Sequence, residues 1–273
     1  MKKNAIIFAL ALTSESAIAQ FVAPDVTRVG TLTHFAIRES SGLAASRRYP
    51  GVIWTHNDSG KPFVFAIRAD GTWIRGFEVQ GANLIDWEDI AIDHLGNLYL
   101  ADIGIDGLQR THVAVHRVRE PNPYVVSGAR VDRTWYLRIP GPRLDAEAFF
   151  VWNGFGYIVT KQRINDAVSI HCYPLSASGS SIPMRKVADV SVTAPVTAAD
   201  ISLDGAQLAL LTEEGAYAIT INGTVSQAGL APRIFTPLFN SFMEGCAFVG
   251  DGLLVSSETR QMLLFTHEAF RVK

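Results

Sequence analysis

The sequence has little cysteine, no run of basic residues and no long hydrophobic segment beyond its N-terminal stretch. Two cysteines, Cys172 and Cys246, are too few for a disulfide framework, and we expect two buried thiols. No later segment is apolar for the length that a transmembrane helix needs, so we expect no membrane partner. The net charge is −2 and the basic residues are scattered. This distribution disfavours binding to nucleic acid, which requires a basic patch.

The N-terminus has the features of a secretory signal peptide. A basic start at Lys2 precedes an apolar stretch at 5–12 and a small-residue cleavage motif at 17–19. We therefore expect residues 1–19 to be removed. Residues 20–273 should then form a single domain, exported to the periplasm or secreted, and monomeric.

Helical periodicity is also absent, and the chain consists of short β-type runs separated by turns. Runs rich in Val, Ile, Tyr and Phe alternate with turn signals such as Asn153-Gly154 and Asp204-Gly205. This pattern is typical of a β-sandwich, a β-barrel or a β-propeller. Internal repeats discriminate between these three folds.

One pattern recurs five times: an acidic or small polar residue, an apolar run, a turn, a second apolar run and a polar end. The repeat length is roughly 50 residues, so that five copies fill residues 20–273. Each copy holds two further strand candidates, as a four-stranded propeller blade requires. The sequence therefore predicts an all-β, five-bladed β-propeller with four antiparallel strands per blade. The N- and C-terminal strands should share the last blade and close the ring.

This blade geometry brings the repeats together at one mouth of the central axis. The first strand of a blade lines the axis and the next strand runs back, so the start of one and the end of the other meet. The starts would form an inner ring: Ser41, Glu88, Glu147, Ala199 and Glu244. The ends would form an outer ring: Asp58, Asp102, Lys161, Glu213 and Glu258. Asp89 has the opposite strand parity to Glu88, so we expect it to point away from the axis.

Three converging glutamates raise one another's pKa, so the inner ring should either take up protons or hold a cation. Calcium accepts six to eight oxygen ligands, whereas zinc and copper favour His or Cys, which no ring position carries. We expect Ca²⁺ bound by the five inner-ring residues, with Mg²⁺ as an open alternative. Ala199 would contribute its carbonyl, or Thr197 or Asp200 would serve instead. The alternative is a set of ordinary solvated carboxylates.

Three functions remain open. The first is a metal-dependent hydrolase of phosphoesters, phosphoanhydrides or related esters. Its general base would be Asp58, Asp102 or Glu258, and Lys161 would either neutralise developing charge or form a salt bridge to a ring carboxylate. The second is a non-catalytic propeller with a structural metal, which binds a small molecule or a protein at its mouth. The third, glycoside hydrolysis by two carboxylates, fits less well because the carboxylates are many and symmetric.

The inner ring is similar to that of the calcium-activated nucleotidases (apyrases), which are secreted five-bladed propellers with one axial calcium ion. That family has Ser or Glu at the start of each inner strand. Ala199 departs from this pattern, because a Ser is expected there. The matching residues are Ser41, Glu88, Glu147 and Glu244. The resemblance implies the metal more than the reaction.

Four motifs also resemble those of a family of secreted bacterial propeller proteins without a settled activity. Members commonly continue the last motif with Asp-Asn, whereas this chain has Ile105-Asp106. A substrate contact made by that loop would then differ here. The motifs are Glu-Ser-Ser-Gly-Leu at 39–43, Trp-Thr-His-Asn-Asp-Ser-Gly at 54–60, Asp-Trp-Glu-Asp-Ile-Ala at 86–91 and Ala-Asp-Ile-Gly at 101–104.

Overall fold

The computed structural model describes residues 24–105, 110–140, 145–161, 167–238 and 242–271. The predicted signal peptide and Asp106 lie outside this part of the chain. The described residues form β-strands and two single-turn 3₁₀ helices, Val225–Gln227 and His267–Phe270, which confirms the prediction of an all-β fold. No helix among them has the length and apolar character to cross a bilayer.

The strands are numbered in chain order. The first nine are β1 (Val26–Thr31), β2 (Ser40–Ala45), β3 (Ile53–Asn57), β4 (Phe63–Ile67), β5 (Trp73–Gln80), β6 (Trp87–Ile92), β7 (Asn97–Asp102), β8 (His112–Arg119) and β9 (Ala129–Arg138). The next six are β10 (Ala146–Trp152), β11 (Phe155–Thr160), β12 (Val168–Pro174), β13 (Ile182–Pro183), β14 (Arg185–Val190) and β15 (Val196–Ile201). The last six are β16 (Gln207–Thr212), β17 (Gly215–Thr220), β18 (Arg233–Pro237), β19 (Met243–Val249), β20 (Gly252–Ser257) and β21 (Gln261–Phe265).

Most strands pair as antiparallel units of four. The units are β2-β3-β4-β5, β6-β7-β8-β9, β10-β11-β12-β14, β15-β16-β17-β18 and β19-β20-β21-β1. In the last unit the N-terminal strand β1 pairs with β21 and thus joins the two ends of the described chain. Short parallel pairings of β5 and β13 with β9 connect the first two units into a nine-stranded sheet.

The first strands of these units pack against one another in a closed cycle. Strand β2 contacts β6, β6 contacts β10, β10 contacts β15, β15 contacts β19, and β19 returns to β2. Four-stranded antiparallel sheets whose first strands surround a common axis define a β-propeller. Each inner strand lies at an end of its sheet and pairs with the second strand of its unit.

The hydrophobic core is divided into clusters, each shared by two consecutive units. Trp54 of β3 and Trp87 of β6 belong to one cluster, and Trp135 of β9 and Tyr173 of β12 to the next. Inner strands are therefore buried along most of their length, whereas the outer strand β9 has exposed positions. Cys172 and Cys246 are buried in two different clusters as free thiols, which confirms that prediction.

Each inner strand carries a β-bulge near its start, where one residue is skipped in the pairing with the second strand. A bulge bends its strand locally and re-aims a side chain. The skipped residues are Gly42, Glu88, Glu147, Thr197 and Glu244. The same irregularity at the start of every inner strand thus sets the positions around the mouth.

Candidate functional site at the propeller mouth

The glutamates of the predicted inner ring lie at these bulges. Just before the bulges of the last three units, a backbone carbonyl accepts a hydrogen bond from the residue that follows the second strand. These bonds run from Lys161 to Asp145 (2.8 Å), from Glu213 to Pro195 (3.2 Å) and from Glu258 to Phe242 (2.8 Å). The structure therefore brings three outer-ring residues to the same end of the axis as the inner-ring glutamates.

In the fourth unit the bulge lies at Thr197, one of the two alternatives predicted beside Ala199. Thr197, and not Ala199, is the bulge residue at the register of the glutamates, and Ala199 lies two residues further along the regular strand. The hairpin formed by β15 and β16 is two residues longer than the hairpin formed by β10 and β11. The spacing between inner-ring and outer-ring residues that holds in the third unit therefore led from Glu213 to Ala199 and not to Thr197. The Thr197 side chain is 2% exposed, and its Oγ1 has no hydrogen-bond partner among the described residues.

The first unit contributes a hydroxyl without a carboxylate. Ser41 is buried, and its Oγ donates a hydrogen bond to the backbone carbonyl of Glu88 at 2.8 Å. The bulge residue here is Gly42, with φ +75°, and a Cβ at this position would lie 2.7 Å from Oδ1 of Asp89. A larger residue is therefore excluded at this bulge, and Ser41 is the nearest polar side chain.

Burial and mutual repulsion dominate the electrostatics of the inner-ring carboxylates. Burial raises the pKa of Glu88 to about 9, with smaller contributions from the charges of Glu147, Asp86 and Glu244. Burial likewise raises the pKa of Glu244 to about 8, with contributions from Glu147 and Glu258. These carboxylates are thus close enough to disfavour one another's ionisation, as the sequence predicted.

Lys161 pairs with Glu147, which confirms the salt-bridge alternative for this lysine. Burial raises the pKa of Glu147, and the hydrogen bond from Lys161 offsets part of that rise. Burial opposes the charge on Lys161, but Glu147, Asp145 and Glu244 overcome it and leave the pKa of Lys161 raised. Lys161 therefore remains a cation next to the inner ring.

Asp86 and Glu88 converge above the backbone of Gly104. A Cβ added to Gly104 would overlap Oε1 of Glu88 and Oδ2 of Asp86. The backbone N–H of Gly104 donates to the carbonyl of Asp86 at 3.2 Å. Glycine is therefore the residue that allows both carboxylates to occupy this corner of the mouth.

Asp102 forms an ion pair with Arg110. The distance from Oδ1 of Asp102 to Nη1 of Arg110 is 2.9 Å, and the side chains are only 2% and 12% exposed. Asp102 also accepts the backbone N–H of Asp86 at 3.1 Å. Of the three predicted general bases, Asp102 is thus already engaged in holding the segment that carries Asp86.

Asp58 forms a carboxyl–carboxylate pair with Glu39. Burial raises the pKa of Asp58 to about 6, followed by the hydrogen bond with Glu39 and the charge of Glu39. The pKa of Glu39 is lowered by hydrogen bonds from Asp58 and from Ser59, whose Oγ lies 2.9 Å from Oε2. Asp58 is therefore the member of the pair that takes up the shared proton as the pH falls. Glu258, the third predicted base, is exposed at the rim.

Asp89 does not point away from the axis, contrary to the prediction from strand parity. Its Oδ2 accepts the backbone N–H groups of Phe149 at 2.8 Å and Ala199 at 3.3 Å, on two other inner strands. Its Oδ1 accepts the N–H of Ile90 at 2.8 Å. The bulge at Glu88 reverses the parity and turns Asp89 into the space between the inner strands.

The donors at the mouth suit a hard cation, although they are not drawn together as a finished metal site. Throughout the described ranges, no three His, Cys, Asp or Glu side chains are grouped so that they could hold a metal ion. The donors are nevertheless all oxygen atoms, which is the chemistry that Ca²⁺ and Mg²⁺ prefer. The unpartnered, buried hydroxyl of Thr197 is a further available oxygen.

The chain has only low similarity to known proteins. No protein-family model and no curated protein matches the chain. A gluconolactonase from Xanthomonas campestris is 11% identical with a TM-score of 0.49, covering 88% of each chain. Virginiamycin B lyase from Staphylococcus aureus is 16% identical with a TM-score of 0.44, covering 83% of this chain and 66% of that one. The Dos1 propeller is 12% identical with a TM-score of 0.41, covering 84% and 56%. No conclusion about activity follows from such similarity, and the apyrase resemblance stays a prediction.

Proposed function

We propose that the chain is a secreted, five-bladed propeller that binds Ca²⁺ at its acidic mouth and hydrolyses phosphoesters, phosphoanhydrides or related esters. The observation that carries the proposal is the group of partly buried inner-ring glutamates whose pKa values are raised. A cation would relieve both their repulsion and their need for protons. The closed cycle of inner strands supports the count of five blades.

The ligands in this proposal come from every unit. Thr197 takes the place that the sequence assigned to Ala199, because it lies at the ring register and its hydroxyl is unpartnered. The remaining ligands are Ser41, Glu88, Glu147 and Glu244. A bound cation would polarise a phosphoryl or carbonyl oxygen of the substrate. Mg²⁺ is subject to the same tests as Ca²⁺.

The chain supplies its own acid, base and charge around this centre. Asp58 holds a proton at a pKa of about 6, and Glu39 is its ionised partner, so the pair can donate or accept one proton near neutral pH. Lys161 places a cation beside Glu147 and can neutralise developing negative charge. Asp102 and Arg110 position the Asp86 segment.

The second candidate is a non-catalytic propeller in which the metal is structural. It is favoured by the engagement of Asp102 with Arg110 and of Lys161 with Glu147. In that case the metal stabilises the native state because it binds that state alone. The two candidates predict different results for a substitution of Asp58, because this residue has a role only if the protein hydrolyses a substrate.

Calorimetric titration with Ca²⁺ tests the proposal directly. We expect one ion per chain, and Glu88→Gln should weaken binding by roughly 10-fold or more. Asp132→Asn, which changes an exposed carboxylate, is the matched control and should leave binding unchanged. Asp58→Asn should abolish the hydrolysis of p-nitrophenyl phosphate and leave Ca²⁺ binding intact. Binding without hydrolysis in the unmodified protein would favour the structural metal, and absence of binding would refute the proposal.

A substitution at Gly104 should also weaken cation binding. The Cβ of Gly104→Ala would displace the carboxylates of Glu88 and Asp86, and we expect a loss in Ca²⁺ affinity of about 10-fold, or ~1.4 kcal/mol. Gly128→Ala is the control, because a Cβ there meets no atom within 4 Å and its φ is not positive. Equal affinities of the two variants would contradict a role for the Asp86–Glu88 corner.

A further inference from the structure

A cavity of about 560 Å³ lies beside the mouth, on the unit formed by β2 to β5. Its apolar wall is a continuous aromatic stack. The rings of His34 and Trp73 are nearly parallel with centroids 3.6 Å apart, and Phe35 stacks on His34 at 4.6 Å. Trp73 in turn contacts Phe65 at 5.7 Å. Phe35 is 81% exposed, so its ring is accessible from solvent.

The floor of the cavity depends on a glycine. Gly76 on β5 faces Trp73 and Phe65, and a Cβ there would lie 3.0 Å and 3.1 Å from their rings. The segment that carries His34 is fixed by Arg260, whose Nη2 donates to the His34 carbonyl at 2.6 Å. The stack is therefore held in place by the fold before any ligand binds, which lowers the entropic cost of binding.

The rim of the cavity is cationic. Arg38 and Lys61 both line it, and neither side chain makes a hydrogen bond or an ion pair with another described residue. Ser59 and Asn57 complete the polar side, and both are already occupied. Ser59 donates to Glu39, while Asn57 receives the N–H of Arg38 at 3.0 Å. Two available cations beside an exposed aromatic face complement a ligand that is both flat and anionic.

We propose that this cavity is a binding site for small aromatic anions, such as an aromatic carboxylate or sulfonate. The ligand ring packs against the exposed ring of Phe35, and its anionic group faces Arg38 and Lys61. The site is separate from the acidic mouth and requires neither the cation nor hydrolysis. Ser59 connects the two, because it lines the cavity and also hydrogen-bonds Glu39 of the proton-sharing pair.

Calorimetric titration of the mature protein with 2-naphthoate, in the presence of a chelator, tests this inference. We expect saturable binding of one molecule per chain. The uncharged 2-naphthamide should bind more weakly because it lacks the charge, and cyclohexanecarboxylate because it lacks the ring. Phe35→Ala and Arg38→Gln should each weaken naphthoate binding by about 5-fold.

Two matched variants control for general surface effects. Tyr136→Ala removes a half-exposed aromatic ring elsewhere, and Arg130→Gln removes an exposed arginine on the same strand β9. Neither should alter binding. The inference would be overturned by non-saturable binding, by unchanged affinity in both cavity variants, or by equal binding of the three probes. Because chelator is present throughout, failure here is independent of the Ca²⁺ proposal.

Discussion

Replacing Asp89 by alanine is expected to lower the free energy of unfolding by about 3 kcal/mol, the largest effect of a single substitution proposed here. The side chain is fully buried and accepts backbone N–H groups from Ile90, Phe149 and Ala199. Burial raises the pKa of Asp89 well above its usual range, and the three donors offset only part of that. Alanine removes the cost of burying the carboxyl group, but it leaves three donors on three inner strands without an acceptor.

Urea denaturation of the purified protein measures this loss in free energy, and thermal denaturation should show it as a fall in melting temperature of roughly 6–12 °C. Asp89→Asn should cost less, because one amide oxygen can still accept from Phe149 and Ala199 while its NH₂ faces the N–H of Ile90. Asp132→Ala is the control, because its 45% exposed side chain forms a surface pair with Arg117 worth under about 1 kcal/mol. A loss for Asp89→Ala no larger than the control would show that water replaces the carboxylate.

The architecture could be predicted from the sequence because it depends on repetition. Runs such as 98–101 and 208–211 are apolar at every position, since the second strands of these units are covered on both faces. The pairing of β1 with β21 followed from the repeat length, because five repeats fill the chain only if its two ends share the last unit. Repeated turn signals then divided the chain into units of similar length.

The details of the site could not be predicted, because they depend on irregularities that strand periodicity does not encode. Strict alternation placed Asp89 away from the axis, and the bulge at Glu88 reversed it. A longer hairpin in the fourth unit moved the ring position from Ala199 to Thr197. A signal for Thr197 existed nonetheless, since Val196-Thr197 repeats the apolar–polar order of Trp87-Glu88 and Met243-Glu244.

The side chains with which the outer-ring aspartates interact could not be predicted from the sequence either. Asp102 and Asp58 both end a second strand and looked equivalent, yet one is neutralised by Arg110 and the other shares a proton with Glu39. Arg110 follows a connection outside the described residues, and Glu39 precedes its own inner strand. Side chains from such connections are placed by tertiary packing, so only the structure distinguishes the two aspartates.

Without a divalent cation, the stability of the protein should fall as the pH rises from about 5 to about 8. Glu88 and Glu244 have pKa values raised from 4.5 to about 9 and about 8, so the folded state binds their protons more tightly than the unfolded state does. Their stabilising contribution is complete below the unfolded pKa and is lost as the pH rises towards the folded one. Because the sites are coupled, we expect a total fall in melting temperature of roughly 5–10 °C.

Calcium should remove this dependence, since the cation binds the ionised carboxylates and so favours the folded state at high pH. Melting curves between about pH 5 and about pH 8, in chelator and in millimolar Ca²⁺, measure both slopes. Combining Glu88→Gln with Glu244→Gln should flatten the slope in chelator, because glutamine does not titrate. Glu78→Gln, an exposed change on β5, should leave the slope intact. A melting temperature that rises with pH in chelator would mean that these carboxylates ionise freely in the folded protein. The acidic mouth would then lack the repulsion between carboxylates that makes a bound cation favourable.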